Sequence, residues 1–241
     1  MNKREPKQTL SQELGLIEEV RIGFKFVKRG LREIDLILPG NDFYHPPMLF
    51  LATGIERILK CMICMEFKER TGFYPTTNDK LWLKGKQGHN LIQLKDTVVK
   101  FCIPLNGAAK EDHRVLACDP MVNSFLRLLS DYGSDTRYYN LNALLTGSIS
   151  ADPMRSYDRF TGDLGFAVFG KTLMAQIEDP LQARKAYESM NIATKALIER
   201  FTRALARQFI FGTFKNQSKR FLFEIDPFHK LEDQELGTRF Y

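Results

Sequence analysis

Apolar residues recur along most of this chain at the three- and four-residue spacing of helices that bury one face. The first such stretch runs from Gln8 to Asp35, with Gly23 and Gly30 as weak points in the pattern. The second runs from Pro47 to Arg70. Pro46 and Pro47 stand where a helix can begin without losing an intrahelical hydrogen bond. These two stretches predict a pair of long helices. Glu56 and Lys60 are four residues apart on the second, a spacing that predicts an ion pair.

Two further helices follow from the same pattern. The third is predicted from His89 to Cys102, since Pro104 cannot continue a helix. The segment NGAAKEDHR, residues 106–114, is typical of a surface loop. In DPMVNSFLRLLSDYG, Asp119 is a suitable N-cap and Pro120 a suitable first residue, which predicts a fourth helix that closes at Gly133.

In the second half of the chain, stretches with a clear hydrophobic period alternate with stretches that lack one. Residues 134–170 lack a clear period, which predicts a long connection with short helical or extended pieces, long enough to act as a lid. The clearest helix is predicted for residues 179–211, capped by Asp179 and Pro180. A short alternating run, Arg220 to Ile225, is typical of a strand or an extended arm.

These elements predict an all-α fold. We expect a single-domain bundle of four to five main helices, with a long irregular connection before the last helix. The domain spans residues 1–241, its core lies at about residues 8–212, and residues 213–241 form a C-terminal arm that packs on the bundle.

Composition excludes several classes of protein. Of the 241 residues, 44% are hydrophobic, enough for a sizeable core, but every long apolar stretch is interrupted by charges. The first residues, MNKREPKQ, lack the apolar run of a secretory signal, and the four scattered cysteines are typical of reduced thiols. We therefore expect a cytoplasmic protein with no membrane partner.

The net charge of +6 is concentrated in one segment. Residues 181–220 contain nine Lys or Arg and two Glu. On a helical wheel, Arg200, Arg203 and Arg207 form a ridge about 120° from the apolar ridge of the last predicted helix. This ridge predicts phosphate binding. Two alternatives are a solvated face and pairing with the acids of the tail, which are Asp226, Glu232, Asp233 and Glu235.

A lone histidine stands in the stretch KGKQGHNLIQL, residues 84–94. If His89 begins the third helix, the helix dipole disfavours its charged form, so we expect a neutral imidazole. That imidazole either caps its own helix and packs on a neighbour, or contacts an anionic ligand together with Lys84 and Lys86.

Motifs for metal, cofactor or covalent chemistry are weak or absent. Cys61 and Cys64 have CxxC spacing, but they lie in an apolar helical run, which favours a place in the core. The donors Cys102, His113 and Cys118 are too loosely spaced to predict a zinc site. No GxGxxG, GxxxxGK[ST], GxSxG or HExxH sequence occurs. We expect no cofactor and no metal.

Several segments resemble a known family. GIERILKCMICM at residues 54–65 and KQGHNLIQLKD at residues 86–96 are similar to the second helix and the start of the third in the HEPN family, the higher eukaryote and prokaryote nucleotide-binding domain. The segment Arg137-Tyr138-Tyr139-Asn140 resembles a later Arg-Tyr segment, and ARKAYESMNIATKALIERF resembles the terminal helix. The match covers about residues 45–210 in separate pieces.

The resemblance implies a bundle of four or five helices that often dimerises. Members are metal-independent RNases of toxin–antitoxin and phage-defence systems, partners of nucleotidyltransferases, or non-catalytic nucleic-acid-binding modules. Catalytic members carry an arginine followed after four to six residues by a histidine on the last helix. No histidine lies within that reach of Arg200, Arg203 or Arg207. This departure argues against RNase activity.

The main prediction is a non-catalytic domain that binds RNA or a nucleotide. Its candidate binding residues are Lys84, Lys86, His89, Arg137, Tyr138, Arg200, Arg203 and Arg207. The alternative is a protein-interaction or homodimerisation module, in which the last helix and the phenylalanine-rich tail bury against another subunit. A third hypothesis keeps RNase activity, with His89 as a candidate general base.

Overall fold

A computed structural model describes most of the chain. The described residues are 6–41, 43–76, 79, 81, 86–102, 107–134, 136–147, 151–215 and 220–241. They form ten α-helices and no β-strand: α1 Pro6–Ile34, α2 His45–Thr71, α3 Leu91–Val99, α4 Ala108–Cys118, α5 Pro120–Ser134, α6 Tyr139–Thr146, α7 Pro153–Phe169, α8 Lys171–Glu178, α9 Ala183–Gln208 and α10 Leu222–His229. The all-α prediction is confirmed, but the predicted number of helices is wrong.

The α1–α2 pair forms a closely packed antiparallel hairpin. The antiparallel direction follows from the contacts: Glu13 near the start of α1 pairs with Lys68 near the end of α2, at 2.9 Å. Midway along the hairpin, a Cβ atom added to Gly54 would lie 2.8 Å from the carbonyl oxygen of Gly23. The two backbones approach this closely because both contact residues lack side chains.

Helix α9 lies at the centre of the molecule. It packs against α1, α4, α5, α7, α8 and α10. Its residues Phe201, Ala204 and Leu205 are fully buried. Beyond its end, an aromatic cluster continues the core, with Phe209 and Phe214 ring centroids 5.2 Å apart and Phe24 and Phe228 centroids 5.7 Å apart. Residues from both ends of the sequence therefore share one core.

Two segments predicted to be mainly irregular are mainly helical. Residues 106–114 were expected to be a loop, but α4 begins at Ala108, after the positive-φ Gly107. The predicted connection at 134–170 contains α6 and α7, and α7 is started by Asp152, whose carboxylate accepts from the Met154 amide at 2.9 Å. Local caps and glycines, which a search for hydrophobic periodicity overlooks, account for these helices.

The predicted strand or extended arm at Arg220 to Ile225 is also wrong. Helix α10 begins at Leu222, and Phe221, Ile225 and Phe228 are buried. Their spacing of four and three residues suits a helix that packs one face on α1 and α9. The run from Arg220 to Ile225 is short enough to fit both the two-residue period of a strand and the 3.6-residue period of a helix. Packing against α1 and α9 favours the helix.

The boundaries of α3, α5 and α9 agree more closely with the prediction from sequence. The carboxylate of Asp119 accepts from the amides of Met121 and Val122, at 2.9 and 3.1 Å, as predicted for the N-cap of α5. Helix α3 is shorter than predicted and ends at Val99, and α9 begins at Ala183, four residues after Asp179.

Among the described residues, no helix combines the length and the apolar character needed to cross a bilayer.

Candidate functional site

Helix α2 presents a row of charged groups to the solvent side of the hairpin. Lys60 Nζ lies 2.6 Å from Glu56 Oε1, an ion pair one helical turn apart. Arg57 pairs with Glu19 of α1, and its guanidinium carbon lies 5.8 Å from the centroid of the Phe26 ring. These two pairs hold both cations in place on the hairpin.

His89 contacts this row of charged groups from a turn that precedes α3. It ends the 3₁₀ turn Lys86–His89, and its Nδ1 lies 2.9 Å from Glu56 Oε2. Because an ionised carboxylate can only accept a hydrogen bond, Nδ1 carries the proton in this pair and Nε2 is left for another partner. The His89 side chain is 46% exposed, so a ligand can reach it.

The capping role predicted for His89 is wrong. Helix α3 begins at Leu91, and the side chain of Asn90 is its N-cap, accepting from the Gln93 amide at 3.0 Å. His89 is therefore outside the helix and bound to Glu56 instead. The contact with Glu56 is the packing on a neighbour that was also predicted for this histidine, and its contact with a ligand stays a prediction.

A groove of about 350 Å³ lies beside this cluster, between α2 and α5. We call it the α2–α5 groove. It is lined by Glu19, Leu49, Ala52, Thr53, Glu56, Arg57, Lys60, His89, Tyr132, Gly133 and Arg137. The Arg137 guanidinium carbon lies 4.8 Å from the centroid of the Tyr138 ring, and Tyr138 is 54% exposed. The fold thus brings His89 and Arg137, two of the predicted binding residues, to the same groove.

His89 also lines a second groove, of about 610 Å³, between α3 and α5. We call it the α3–α5 groove. Its lining residues are His89, Asn90, Ile92, Gln93, Asp96, Thr97, Lys100, Arg127, Ser130, Asp131 and Ser134. Most of these side chains are neutral donors and acceptors or charged groups. The imidazole therefore stands where two polar grooves adjoin.

The cations of the two grooves fall into two sets. Arg57 and Lys60 are each bound to a glutamate, as described above. Lys100, Arg127 and Arg137 are exposed, and none makes an ion pair with a carboxylate within the described parts of the chain. The grooves also contain Asp96 and Asp131, and Asp96 pairs with Lys95 at 2.7 Å. Phosphate binding would rest on the second set of cations.

Tyr132 supports the floor of the α2–α5 groove. Its hydroxyl lies 2.9 Å from His45 Nδ1, at the start of α2. Burial raises the pKa of Tyr132, so the phenol stays protonated at neutral pH. The contact fixes α5 against α2, and with it the neighbouring Gly133 and the chain that leads to Arg137.

Two of the three arginines predicted as a cationic ridge, Arg203 and Arg207, are far more enclosed than a phosphate-binding surface requires, and Arg200 is 41% exposed but paired with a carboxylate. Arg200 pairs with Asp119 at 2.7 Å, and Arg207 lies 3.5 Å from the buried Asp112. Arg203 is buried, pairs with Asp233 at 2.7 Å and donates to the Leu231 carbonyl at 3.0 Å.

This placement follows from the position of α9. The helix is covered by α4 and by the C-terminal residues, so its second ridge faces protein. The alternative of pairing with a tail acid is observed for Arg203 and Asp233. The structure does not bring the three arginines together with His89. Lys84 lies outside the described residues, as does the side chain of Lys86.

Three of the four cysteines, Cys61, Cys64 and Cys102, lie in environments that suppress thiolate chemistry. Cys61 and Cys102 are buried, and burial raises the pKa of the Cys61 thiol and raises the pKa of Cys102 to about 12. Burial likewise raises the pKa of Cys64 to about 11. Since the thiolate is the nucleophile and the metal ligand, the CxxC pair suits the core. The described residues contain no cluster of His, Cys, Asp and Glu that could hold a metal ion.

Sequence reasoning missed three groups of the site: Glu56 as the partner of His89, and the cations Arg127 and Lys100. The spacing of Glu56 and Lys60 pointed to their ion pair, but Glu56 and His89 are 33 residues apart in sequence. Arg127 and Lys100 each looked like one of many surface charges. Only the approach of α3 to α5 places them beside His89.

No protein-family model, curated protein or solved structure matches this chain.

Proposed function

We propose that this chain binds RNA or a nucleotide at the two grooves that meet at His89. The observation that carries the proposal is the convergence of His89, Arg137 and the Lys60–Glu56 pair on the α2–α5 groove. In this proposal the arginines of α9 hold the fold together and take no part in binding.

The α2–α5 groove provides the phosphate site. A guanidinium offers a planar fork of donors to phosphate oxygens, and Arg137 has no carboxylate partner among the described residues. The free Nε2 of His89 can take part in the same contact. Glu56 keeps the imidazole oriented, and Lys60 offsets the charge of Glu56.

The neighbouring groups suit the rest of a nucleotide. Tyr138 exposes a ring face on which a base can stack, a contact worth roughly 1–3 kcal/mol per base. In the α3–α5 groove, Asn90, Gln93 and Ser130 offer neutral donors and acceptors to sugar and base edges. Binding of this kind fits a non-catalytic HEPN-like module, as in toxin–antitoxin or phage-defence systems.

A second candidate function, metal-independent RNA cleavage, is favoured by the hydrogen bond between Glu56 and His89. A carboxylate that fixes Nδ1–H leaves Nε2 as a proton acceptor, which is the arrangement of a general base. In such a reaction, Nε2 would take the proton of the ribose 2′-hydroxyl as that oxygen attacks phosphorus. The bond from phosphorus to the 5′-oxygen of the next nucleotide would break, leaving a 2′,3′-cyclic phosphate, and the departing 5′-oxygen would take a proton from water. Arg137 would stabilise the charge on the phosphate oxygens.

Both functions are tested in one experiment with fluorescent structured RNA, at low and high salt. Anisotropy measures binding and a denaturing gel measures cleavage. For Arg137→Ala we expect roughly tenfold weaker binding, equal to about 1.4 kcal/mol, and a smaller salt dependence, because one phosphate contact is lost. The matched control is Arg114→Ala, which removes the same charge from a 73% exposed position outside both grooves. It should bind RNA like the wild type.

The outcomes separate the candidates. Salt-sensitive binding that weakens in Arg137→Ala, with intact RNA on the gel, supports the binding function. Cleavage that disappears in His89→Ala and Glu56→Gln while binding persists supports the second function. Binding that is equally weakened by Arg114→Ala, or no binding at either salt concentration, contradicts the proposed site.

A further inference from the structure

A third cavity, different in character from the two polar grooves, lies along the α1–α2 hairpin. Its volume is about 340 Å³. Leu16 of α1 and the pair Cys61 and Cys64 of α2 line it, and Tyr74 and Pro75, which follow α2, complete its wall. We call it the α1–α2 pocket. Its wall is therefore mainly apolar, unlike the walls of the grooves at His89.

The CxxC pair leaves the space for this pocket. Cys61 and Cys64 are three residues apart on α2, so both side chains lie on the same side of the helix. They are smaller than the isoleucine, leucine and methionine side chains that are buried in the neighbouring turns. Burial raises the pKa of both thiols, so they are uncharged at neutral pH. The two cysteines thus form a small, uncharged part of the wall.

Tyr74 is held in place by contacts on the protein side. It is buried, the ammonium of Lys68 lies 4.2 Å from the centroid of its ring, and the same ammonium donates to its hydroxyl at 3.1 Å. Lys68 in turn pairs with Glu13 of α1 at 2.9 Å. An aromatic ring fixed in this way can pack against an apolar ligand without the entropy cost of ordering a mobile side chain.

Cations that keep unused donors also line the pocket. Glu19, Arg57 and Lys60 line both the α1–α2 pocket and the α2–α5 groove, so this charged row separates the two. Within the described parts of the chain, Arg57 donates to Glu19 through Nη1 alone, and Lys60 donates only to Glu56. A guanidinium has five donors and an ammonium three, so both cations can receive an anion while they stay paired.

We propose that the α1–α2 pocket binds a small anionic amphiphile, a molecule with an apolar body and one anionic group. The body lies against Leu16, Cys64 and Tyr74, and the anionic group accepts from Nε and Nη2 of Arg57. A cavity of about 150 Å³ holds benzene, so this pocket holds a body of roughly two rings or an acyl chain of similar volume.

The charges of the pocket select an anion over a cation. Two cations, Arg57 and Lys60, and one carboxylate, Glu19, line it, which leaves a net charge of +1. Glu19 is already paired with Arg57. An uncharged ligand would leave the spare donors of Arg57 to water. The pocket therefore combines an apolar wall with a cationic edge, which is the complement of an amphiphile with one negative charge.

The test is isothermal titration calorimetry of the full chain with ligands that share one ring system: 1-naphthoate, the uncharged 1-naphthamide and the cationic 1-naphthylmethylamine. For naphthoate we expect a dissociation constant of about 0.1–1 mM, which is usual for a ligand of this size. Naphthamide should bind about fivefold more weakly, because the charge-assisted contact with Arg57 is lost, and the amine more weakly still. Octanoate places the same anionic group on an acyl chain. Whichever of octanoate and naphthoate binds more tightly identifies the body as aliphatic or aromatic.

Two variants locate the site. Cys64→Phe fills the pocket with a ring and should abolish naphthoate binding, whereas the matched control Cys118→Phe, at an exposed cysteine outside the pocket, should bind like the wild type. Arg57→Gln keeps the pocket open but removes the guanidinium, so naphthoate and naphthamide should bind equally. Circular dichroism and the melting temperature establish that each variant is folded. Labelling of the wild type by iodoacetamide gives a second measurement, in which naphthoate should slow the reaction of Cys64 and leave that of Cys118 unchanged.

Three results overturn the proposal: no binding of naphthoate at millimolar concentration, binding to a folded Cys64→Phe variant that equals binding to Cys118→Phe, or naphthamide or the amine binding as tightly as naphthoate. Unchanged labelling of Cys64 in the presence of bound naphthoate counts equally against it. These measurements contain no RNA, and the pocket does not rest on the proposed function. The two proposals can therefore fail independently.

Discussion

At the scale of single residues, the decisive question for each polar group is whether the protein already supplies its partner. Glu56 accepts from both Lys60 and His89, and Arg203 donates to a carbonyl and a carboxylate. Arg137 has no such carboxylate among the described residues. The sequence shows all of these residues as charged, but only the last is free to bind an anion.

Glu199 gives a residue-scale prediction about pH. It is fully buried in α9, and burial raises the pKa of its carboxyl although the Gly237 amide donates to it. A raised pKa in the folded state means that the protonated form stabilises the fold. That contribution is complete below the ordinary value of 4.5 and is lost as pH rises through the raised value.

We therefore expect Glu199→Gln, which cannot ionise, to gain stability relative to the wild type as the pH rises from the ordinary value of 4.5 through the raised pKa of Glu199. The free energy of unfolding of both proteins, measured by urea denaturation at several pH values, checks this. Glu188→Gln, on the exposed start of the same helix, is the control and should track the wild type. A stability difference between Glu199→Gln and the wild type that stays constant across this range would contradict the prediction.

At the scale of elements, the α1–α2 hairpin shows how close helix packing depends on missing side chains. Gly23 and Gly30 looked like weak points of a helix, yet α1 is continuous through both. A Cβ added to Gly30 would lie 2.5 Å from Leu51 Cγ. The glycines lower helix propensity but allow contact along the whole hairpin, and that contact supports the polar row of α2.

Gly54→Ala should therefore destabilise the protein. Its Cβ would lie 2.8 Å from the Gly23 carbonyl oxygen and 2.9 Å from the Val27 amide nitrogen, and backbone atoms cannot move aside as a side chain can. We expect a loss of about 1–3 kcal/mol in the free energy of unfolding, the usual effect of overpacking.

The control is Gly162→Ala in α7, where an added Cβ meets nothing within 4 Å. Better helix propensity should stabilise that variant by about 0.5–1 kcal/mol. Urea denaturation midpoints of the three proteins measure both effects. Opposite signs are the expected result, and equal changes in the two variants would show that propensity outweighs packing.

At the scale of the whole molecule, the C-terminal residues complete the core. Phe228 and Leu231 are fully buried, and the Tyr241 ring stacks on Phe228 at 5.5 Å. The arginines of α9 bind this segment through its backbone: Arg203 donates to the Leu231 carbonyl and Arg207 to the His229 carbonyl, at 3.0 and 3.1 Å. The positive charge of α9 is thus used for folding.

Arg203→Ala tests this anchoring. The substitution leaves the Leu231 carbonyl without its shorter hydrogen bond, so we expect a loss of about 2 kcal/mol in the free energy of unfolding. The control Arg184→Ala removes a 74% exposed arginine paired with Glu188 on the same helix and should change stability by less than about 0.5 kcal/mol. Thermal or urea denaturation measures both. Equally small losses in the free energy of unfolding of both variants would mean that Arg203 does not anchor the C-terminal segment.

The sequence by itself determined the all-α class, the two long helices, the cap of α5 and the ion pair of Glu56 and Lys60. Each of these depends on residues no more than a few turns apart, so hydrophobic period and local hydrogen bonding were sufficient. The helices α4, α6, α7, α8 and α10 were not predicted as separate helices, because caps or packing decide them.

Tertiary structure alone decided which charges are free. Glu56 and His89 meet across 33 residues, and Arg200, Arg203 and Arg207 are withdrawn into pairs by segments up to 95 residues away. The position of a charged residue along its helix does not show whether the residue faces solvent or another helix. That is decided by the element that packs against it.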